Sequence, residues 1–313
     1  MDPELIRNFE ELVTRASATP RCVVAVINPS NAETFAAIID ARNVVRSSFV
    51  LVGNRETIRN GLQTGGGEPS DVEIIHKPTL DEALRTAVGM ARDGGADLLM
   101  KGSVDTSSMM KAVLRGESGL RTDRLISDVV ILEYPRRDDN RLLMITDGGI
   151  NLSPNLADKV ELIRNAVEVA HALGNAVPKV AVLSATEFIL PDLHSTVDAA
   201  SLSKMNQRGQ IRGCVVDGPL ALDNALSPEA AAEKGIVSEV AGGAEILLAP
   251  GIESANMLAK GATYFAGLPL AHVLVGARVP ILIPSRADKS RAKLLSIALG
   301  MVVSTYQRML AEE

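Results

Sequence analysis

Apolar and polar positions along this chain switch between two periods. Residues 21–27 (RCVVAVI) form a short run rich in β-branched side chains, which predicts a buried strand. Ser30 or Asn31 then suits an N-cap, and helical spacing continues to about Val45. SSFVLVG predicts a second strand, a short helix begins at Arg55, and VEIIHKP predicts a third strand. Thr79 followed by Glu82 has the spacing of a capping box, so a helix should run from there to Arg92. ADLLMKG reads as a strand and DTSSMMKAVLRG as a helix.

The pattern then changes. RLISDVVILEY and RLLMITDGG read as consecutive strands joined by the polar turn PRRDDN. A long helix follows from about Asn155 to Leu173, stopped by Gly174. KVAVLSA, GCVVDGP, AEILLAP, AHVLVGA and PILIPS are further strands, most of them separated by helices. The last helix should begin near Asp288, with Leu294, Ile297, Ala298, Met301 and Thr305 on one face. GLQTGGGEPSD (61–71) reads as an exposed, Gly-rich connection.

Repeated strand–helix units predict an α/β fold with mostly parallel sheets and helices on both faces. Ligands of such folds bind beyond the carboxyl ends of strands. That rule selects five loops: residues 101–106, 147–155, 217–223, 250–256 and 284–288.

Composition narrows the field. The 313 residues allow one large or two ordinary domains, and 46% are hydrophobic, enough for a substantial core. A net charge of −6 argues against non-specific nucleic-acid binding. Cys22 and Cys214 form no C-x-x-C and no metal spacing, which fits a reducing cytoplasm. The start of the chain, MDPELIRNFEELV, lacks the apolar stretch of a signal peptide. No uninterrupted apolar run has the length of a membrane span; AHVLVGARVPILIP is broken by Arg278 and Pro280. The four histidines are scattered, with no helical i,i+4 pair, so no metal site is expected. G-x-S-x-G and G-x-G-x-x-G are both absent, which disfavours a hydrolase elbow and a dinucleotide fingerprint.

Candidate chemistry lies in the selected loops. At SRADKSRAK a strand ends at Pro284 and a helix starts at once, offering unpaired N–H groups to an anion. Asp288 could cap this helix. Arg286, Lys289, Arg291 and Lys293 crowd its first turns, against the helix dipole, at about 0.3–1 kcal/mol each. An anionic partner would explain that arrangement. KGSVDTSSMMKAVL offers Ser103 and Thr106 hydroxyls and the Lys111 cation, although helix capping by Asp105 or Thr106, taken alone, is the commoner explanation. In TDGGINLSPN, Asp147, the two glycines and Asn151 can be a ligand loop or a sharp turn into a helix. DGPLALDNALS places Asp217 and Gly218 at a strand end. PGIESAN places Glu253 and Asn256 at a helix start.

Taken in order, MKGSVDT, RTDRLISDV, TDGGINLSPNLADKVELIRNAVEVAHALG, PKVAVLSATE, DAASLSKMNQRGQI, DGPLALDNALS, KGIVSEVAG, AEILLAPGIESANMLAK and VPILIPSRAD resemble the phosphate acetyl/butyryltransferase family, and its butyryltransferase branch more than its acetyltransferase branch. The resemblance runs from about Ala96 to Ala298. It implies a two-domain α/β fold similar to isocitrate and isopropylmalate dehydrogenases, with an interdomain cleft. The implied domains are 1–139 with 273–313, and an inserted 140–272. The implied reaction is acyl-CoA plus phosphate giving acyl phosphate plus CoA, reversibly, by direct attack in a ternary complex. Coenzyme A is then a co-substrate and no cofactor is permanently bound. The implied setting is cytoplasmic, as a homodimer or higher homo-oligomer, with no nucleic-acid or membrane partner.

Carried over residue by residue, the resemblance matches the family's Ser-Arg pair to Ser285-Arg286. A family arginine falls at or near Lys111. The acetyltransferases place a catalytic Asp seven residues beyond the Ser, where this chain has Ala292, and Asp288 is the substitute carboxylate in the segment. Ser285, Arg286 and Asp288 are thus the expected catalytic residues. Ser103, Thr106, Lys111, Asp147, Asn151, Asp217 and Asn256 are the expected phosphate- or substrate-binding residues. The competing readings are a phosphate acetyltransferase, an NAD- or metal-dependent hydroxyacid dehydrogenase of the same fold, and a non-catalytic acyl-CoA binding protein.

Overall fold

The computed structural model describes residues 4–135, 140–285 and 287–312. Arg286 and most of the PRRDDN turn therefore lie outside the described residues. In chain order the elements are α1 (Phe9–Ala18), β1 (Val23–Ile27), α2 (Ala32–Val44), β2 (Ser48–Gly53), α3 (Arg55–Thr64), β3 (Glu73–His76), α4 (Leu80–Arg92), β4 (Leu98–Lys101), α5 (Thr106–Val113), β5 (Ser127–Glu133) and β6 (Leu142–Thr146). They continue as α6 (Leu156–Ala172), β7 (Lys179–Leu183), α7 (His194–Gln207), β8 (Val215–Leu220), α8 (Leu222–Leu226), α9 (Pro228–Glu233), β9 (Ile246–Leu248), α10 (Ile252–Tyr264), β10 (Ala271–Val275), β11 (Ile281–Leu282) and α11 (Ser290–Glu312).

The chain divides into two compact units. One comprises residues 9–126 and 269–312, the other residues 4–8 and 127–268. The first carries strands in the order β3-β2-β1-β4-β11-β10, all parallel except the β10–β11 pair. The second carries β5-β6-β9-β7-β8, parallel except for the β5–β6 hairpin. The α/β class expected from the strand–helix alternation is what forms. The unit boundary differs from the expected division at 139/140, which would part β5 from β6. Five residue pairs of antiparallel register, from Val129↔Thr146 to Glu133↔Leu142, hold those two strands in one unit. Asn165 of α6 also donates to the Ser127 hydroxyl at 2.7 Å, with both residues fully buried.

Local sequence accounts for most element boundaries. In β1, Val24, Val26 and Ile27 are fully buried, and each such side chain contributes about 1.5–3 kcal/mol. Asn31 accepts from Thr34 N–H and caps α2. Thr79 and Glu82 form the reciprocal box at α4. Asn155 and Asp158 do the same for α6, so that helix starts at Leu156, past the Ser153-Pro154 pair. The expected Gly-rich connection at 61–71 is a correction. Residues 61–64 complete α3, and Pro69–Asp71 make a single 3₁₀ turn. Ile58 and Leu62 are buried together and extend the helix past Gly61.

The expectation on membrane spans also needs revision. α11 has 23 residues and a window of mean hydropathy 1.3, which by length and composition suffices to cross a membrane. More than half of that window is buried within the unit, where α11 packs on α1, α2 and β10. It is the core helix of the first unit.

Candidate active site

In the first unit, β4 lies between β1 and β11, with Ile27↔Lys101 and Leu282↔Met100 in parallel register. Three neighbouring carboxyl ends therefore deliver residues 28–30, 102–105 and 283–285 to one edge of the sheet. This is the edge at which parallel sheets bind ligands. Gly102 permits the close approach. A Cβ there would sit 2.4 Å from the Ile27 carbonyl oxygen and 2.8 Å from that of Asn28.

Ser103 is bound to the loop after β1 by three contacts. Its N–H donates to the Asn28 carbonyl at 2.9 Å. Its own carbonyl accepts from Asn28 Nδ2 at 3.3 Å, and its hydroxyl lies 2.5 Å from that of Ser30. Thr106 is the first residue of α5, and Asp105 caps that helix by accepting from Ser108 N–H. The capping reading of this loop thus holds for Asp105. Lys111 is exposed on α5 and lines a surface cavity of about 360 Å³ with Leu84, Arg85 and Arg115.

Ser285 and Asp288 close a turn. Ser285 N–H donates to Asp288 Oδ2 at 2.7 Å, and Asp288 N–H donates to the Ser285 carbonyl at 3.2 Å. The expected cap role of Asp288 is corrected by this contact. α11 starts at Ser290, and the Ser290 N–H donates at 2.6 Å to Glu33 Oε2, from the first turn of α2. Lys293 is a second correction. It is not a solvated cation of the helix end but is 1% exposed, and its Nζ donates to the carbonyls of Asp288 and Ser285. Burial lowers its pKa, while Asp288 and Glu33 oppose that shift. Two backbone acceptors and two flanking carboxylates keep this lysine inside the unit. Arg286, between Ser285 and Ala287, lies outside the described residues.

In the second unit, β6 and β9 run parallel with Thr146↔Leu248 in register, so the 147–151 and 250–256 loops leave the same edge. Asp147 is 3% exposed. Its Oδ1 accepts from the Gly149 and Ile150 N–H groups at 2.8 and 3.0 Å, and its Oδ2 from Asn151 N–H and Nδ2 at 3.1 and 2.6 Å. Asn256 Nδ2 donates to the Gly148 carbonyl at 2.9 Å and ties the start of α10 to this loop. Gly149 sits against Asp128, where a Cβ would meet Asp128 Oδ2 at 2.9 Å. Asp147, Asn151 and Asn256 are thus brought together.

Asp217 is placed differently from expectation. β8 continues through Leu220, so Asp217 and Gly218 lie within the strand, with Asp217 opposite Ala181 of β7. The Asp217 carboxylate accepts from its neighbour Gly218 N–H and from Ser203 of α7. Main-chain pairing with β7 outweighs the turn preference of Gly-Pro here.

Burial pushes the Asp147 carboxyl up to about 6, and the Asp128 carboxylate adds to the rise against the opposing N–H donors. Its folded value lies above the ordinary aspartate value of 3.8, so ionisation disfavours the folded state. The cost is absent below about pH 4, grows as pH rises, and is complete above about pH 6. That rise corresponds to about 3 kcal/mol. In urea unfolding, Asp147→Asn is expected to lose this decline between about pH 4 and 6 relative to wild type. Identical pH slopes in the two proteins would remove Asp147 as its source.

Sequence reasoning passed over Asn28, Ser30, Glu33 and Asp128. The strand-end rule, applied to β1 as it was to the later strands, would have selected Asn28 and Ser30. An aspartate inside the apolar run SDVVILE was the available signal for Asp128. Nothing local marks Glu33. Among the described residues, no group of three or more His, Cys, Asp or Glu is placed to hold a metal ion.

Comparison with known proteins places the whole chain in a family. The model of the Phosphate acetyl/butaryl transferase family matches residues 22–301. The probable phosphate butyryltransferase of Bacillus subtilis is 43% identical over 296 residues, covering 95% of this chain and 98% of that protein. The phosphate acetyltransferase of Rhizobium meliloti is 39% identical over 300 residues, covering 96% and 94%. The crystal structure of a branched-chain phosphotransacylase from Enterococcus faecalis superposes with a TM-score of 0.81 at 28% identity, covering 90% of this chain and 99% of that one. A family match across most of the chain, with relatives this similar over nearly its full length, means that the chain belongs to the phosphate acetyl/butaryl transferase family.

Proposed function

We infer that this chain is a phosphate acyltransferase, interconverting acyl-CoA plus inorganic phosphate with acyl phosphate plus CoA, and that its preferred acyl group is butyryl or a similar short chain. The observation that carries the reading is the Ser285–Asp288 turn, held by Lys293 at the strand edge that also carries the Ser103 loop, in a chain of this family. Phosphate needs convergent donors and cations; this edge supplies the Ser103 and Ser285 hydroxyls, and the sequence adds Arg286 next to Ser285.

Chemistry follows from these groups. In one direction a phosphate oxygen attacks the thioester carbonyl, the C–S bond breaks, and the CoA thiolate leaves and takes a proton. In the other, the CoA sulfur attacks the acyl phosphate carbonyl and the C–O bond to phosphate breaks. Arg286 binds the phosphoryl oxygens and stabilises developing charge, and Ser285 donates to the carbonyl or phosphate oxygen. Asp288 serves as the thiol base. Ser103, Thr106 and Lys111 bind phosphate, and Asp147, Asn151, Asp217 and Asn256 are the substrate-binding candidates carried by the second unit. Both cysteines are buried, and burial raises their thiols to about 12 (Cys22) and about 11 (Cys214). Neither is a ready thiolate nucleophile at neutral pH, which favours direct transfer over a cysteinyl acyl-enzyme. The reading needs no resident cofactor, and it places the enzyme in the cytoplasm as a homo-oligomer.

An acetyl preference is the second reading, supported by the acetyltransferase relative at 39% identity. Thiol release from acetyl-, propionyl-, butyryl- and branched acyl-CoA, with and without phosphate, tests both. Each methylene recognised by an apolar pocket is worth about 10–200-fold in kcat/KM. Butyryl-CoA should therefore exceed acetyl-CoA by at least about tenfold, with release dependent on phosphate. The reverse order selects the acetyl reading, and absence of phosphate-dependent release overturns the proposed reaction.

A further inference from the structure

We propose that Ser30 is a phosphate-binding residue acting as a pair with Ser103, and that Asn28 is the residue that positions the pair. The inference rests on the phosphate acyltransferase reading and deepens it. Ser30 follows β1, whose parallel neighbour β4 leads into Ser103. The two hydroxyls are 2.5 Å apart although Ser30 is exposed. Each hydroxyl carries one hydrogen, so a bonded pair uses one and keeps one for an outside acceptor. A phosphate oxygen at neutral pH is such an acceptor, and the internal bond polarises the outward one.

Asn28 explains why the pair stays together. Its backbone lies in the left-handed region at φ 48, which asparagine tolerates better than most side chains. In that conformation its N–H reaches the Val52 carbonyl at 2.7 Å and its C=O receives the Ser103 N–H. Its side chain then closes on the Ser103 carbonyl from the other direction. Room for it comes from Gly53, where a Cβ would stand 3.1 Å from Asn28 Oδ1. Glycine at position 28 would accept the same φ but could not make the side-chain bond. Downstream, α2 begins at Ala32 and its Glu33 holds the Ser290 N–H, so one short segment contacts both the Ser103 loop and the start of α11.

Initial rates of the full chain with butyryl-CoA and varied phosphate test the assignment. Ser30→Ala should raise the KM for phosphate about tenfold or more, as expected for loss of a hydrogen bond to a charged group. The KM for butyryl-CoA should stay within about twofold. Ser30→Thr should restore the phosphate KM, because it keeps the hydroxyl. Asn28→Gly should raise the phosphate KM alone, with unfolding temperature unchanged, since the backbone conformation is retained. An unchanged phosphate KM in both Ser30→Ala and Asn28→Gly overturns the proposal, as does an equal rise in both KM values. Calorimetric titration of wild type and Ser30→Ala with inorganic phosphate reads the site without turnover. Equal binding there overturns the inference even in a chain without activity, and weaker binding by Ser30→Ala supports it. A wild type that binds phosphate but releases no thiol refutes the proposed reaction and not this site.

Discussion

Arg286→Ala is expected to lower kcat by about 10²–10³-fold, whereas Asp288→Asn should cost no more than about 30-fold. The difference comes from what each group can supply. A thiol of pKa about 8.5 is roughly 3% thiolate at pH 7, so complete deprotonation gains about 30-fold, or roughly 2 kcal/mol. A preorganised donor or cation on developing charge supplies about 3–4 kcal/mol. Asn at 288 keeps an oxygen that can accept from the Ser285 N–H, so the variant removes the charge and spares the turn. Initial rates of the two variants, in both directions, check the ranking. Arg286→Ala with wild-type turnover would remove the Ser285-Arg286 assignment, and a larger loss in Asp288→Asn would make base catalysis the dominant contribution.

Lys293→Met is expected to lower both stability and turnover. Methionine fills much of the volume but leaves the Ser285 and Asp288 carbonyls without their lysine donor. The Ser285 carbonyl keeps the Asp288 N–H, so the Asp288 carbonyl is the acceptor orphaned, at a cost of about 1–3 kcal/mol. At about 2–4 °C per kcal/mol, the unfolding temperature should fall by several degrees. The Ser285 turn then loses its internal tie, so kcat should fall by about tenfold or more, in line with loss of preorganisation. Thermal scans and initial rates are the measurements. A variant matching wild type in both would show that the lysine neither stabilises nor orients the turn.

How much of this was legible in the sequence depends on how local the cause is. β1 is read from a β-branched run, α4 from the capping box Thr79 to Glu82, and α2 from a cap at Asn31. Each is decided within one or two turns of chain. The loops at 101–106 and 147–151 were also legible, because strand ends in a parallel sheet are predictable once the strands are. Lys293 was misread for the opposite reason. Its neighbours Arg291 and Ala292 do not reveal that the chain before α11 folds back over its Nζ. Asp217 was misread because partner strand β7, outside the local window, extends β8 through a Gly-Pro that by itself suggests a turn.

The sequence by itself determined the α/β class, the order of strands and helices, the family, and the segments proposed to carry the chemistry. Those depend on side-chain periodicity and short motifs, which are local properties. Only the tertiary structure decided that Ser30 meets Ser103, that Glu33 holds the head of α11 from 257 positions away, and that Lys293 is buried beneath the Ser285 turn. Those contacts exist because β1, β4 and β11 lie side by side, and strand order across a sheet is set by packing rather than by any single segment.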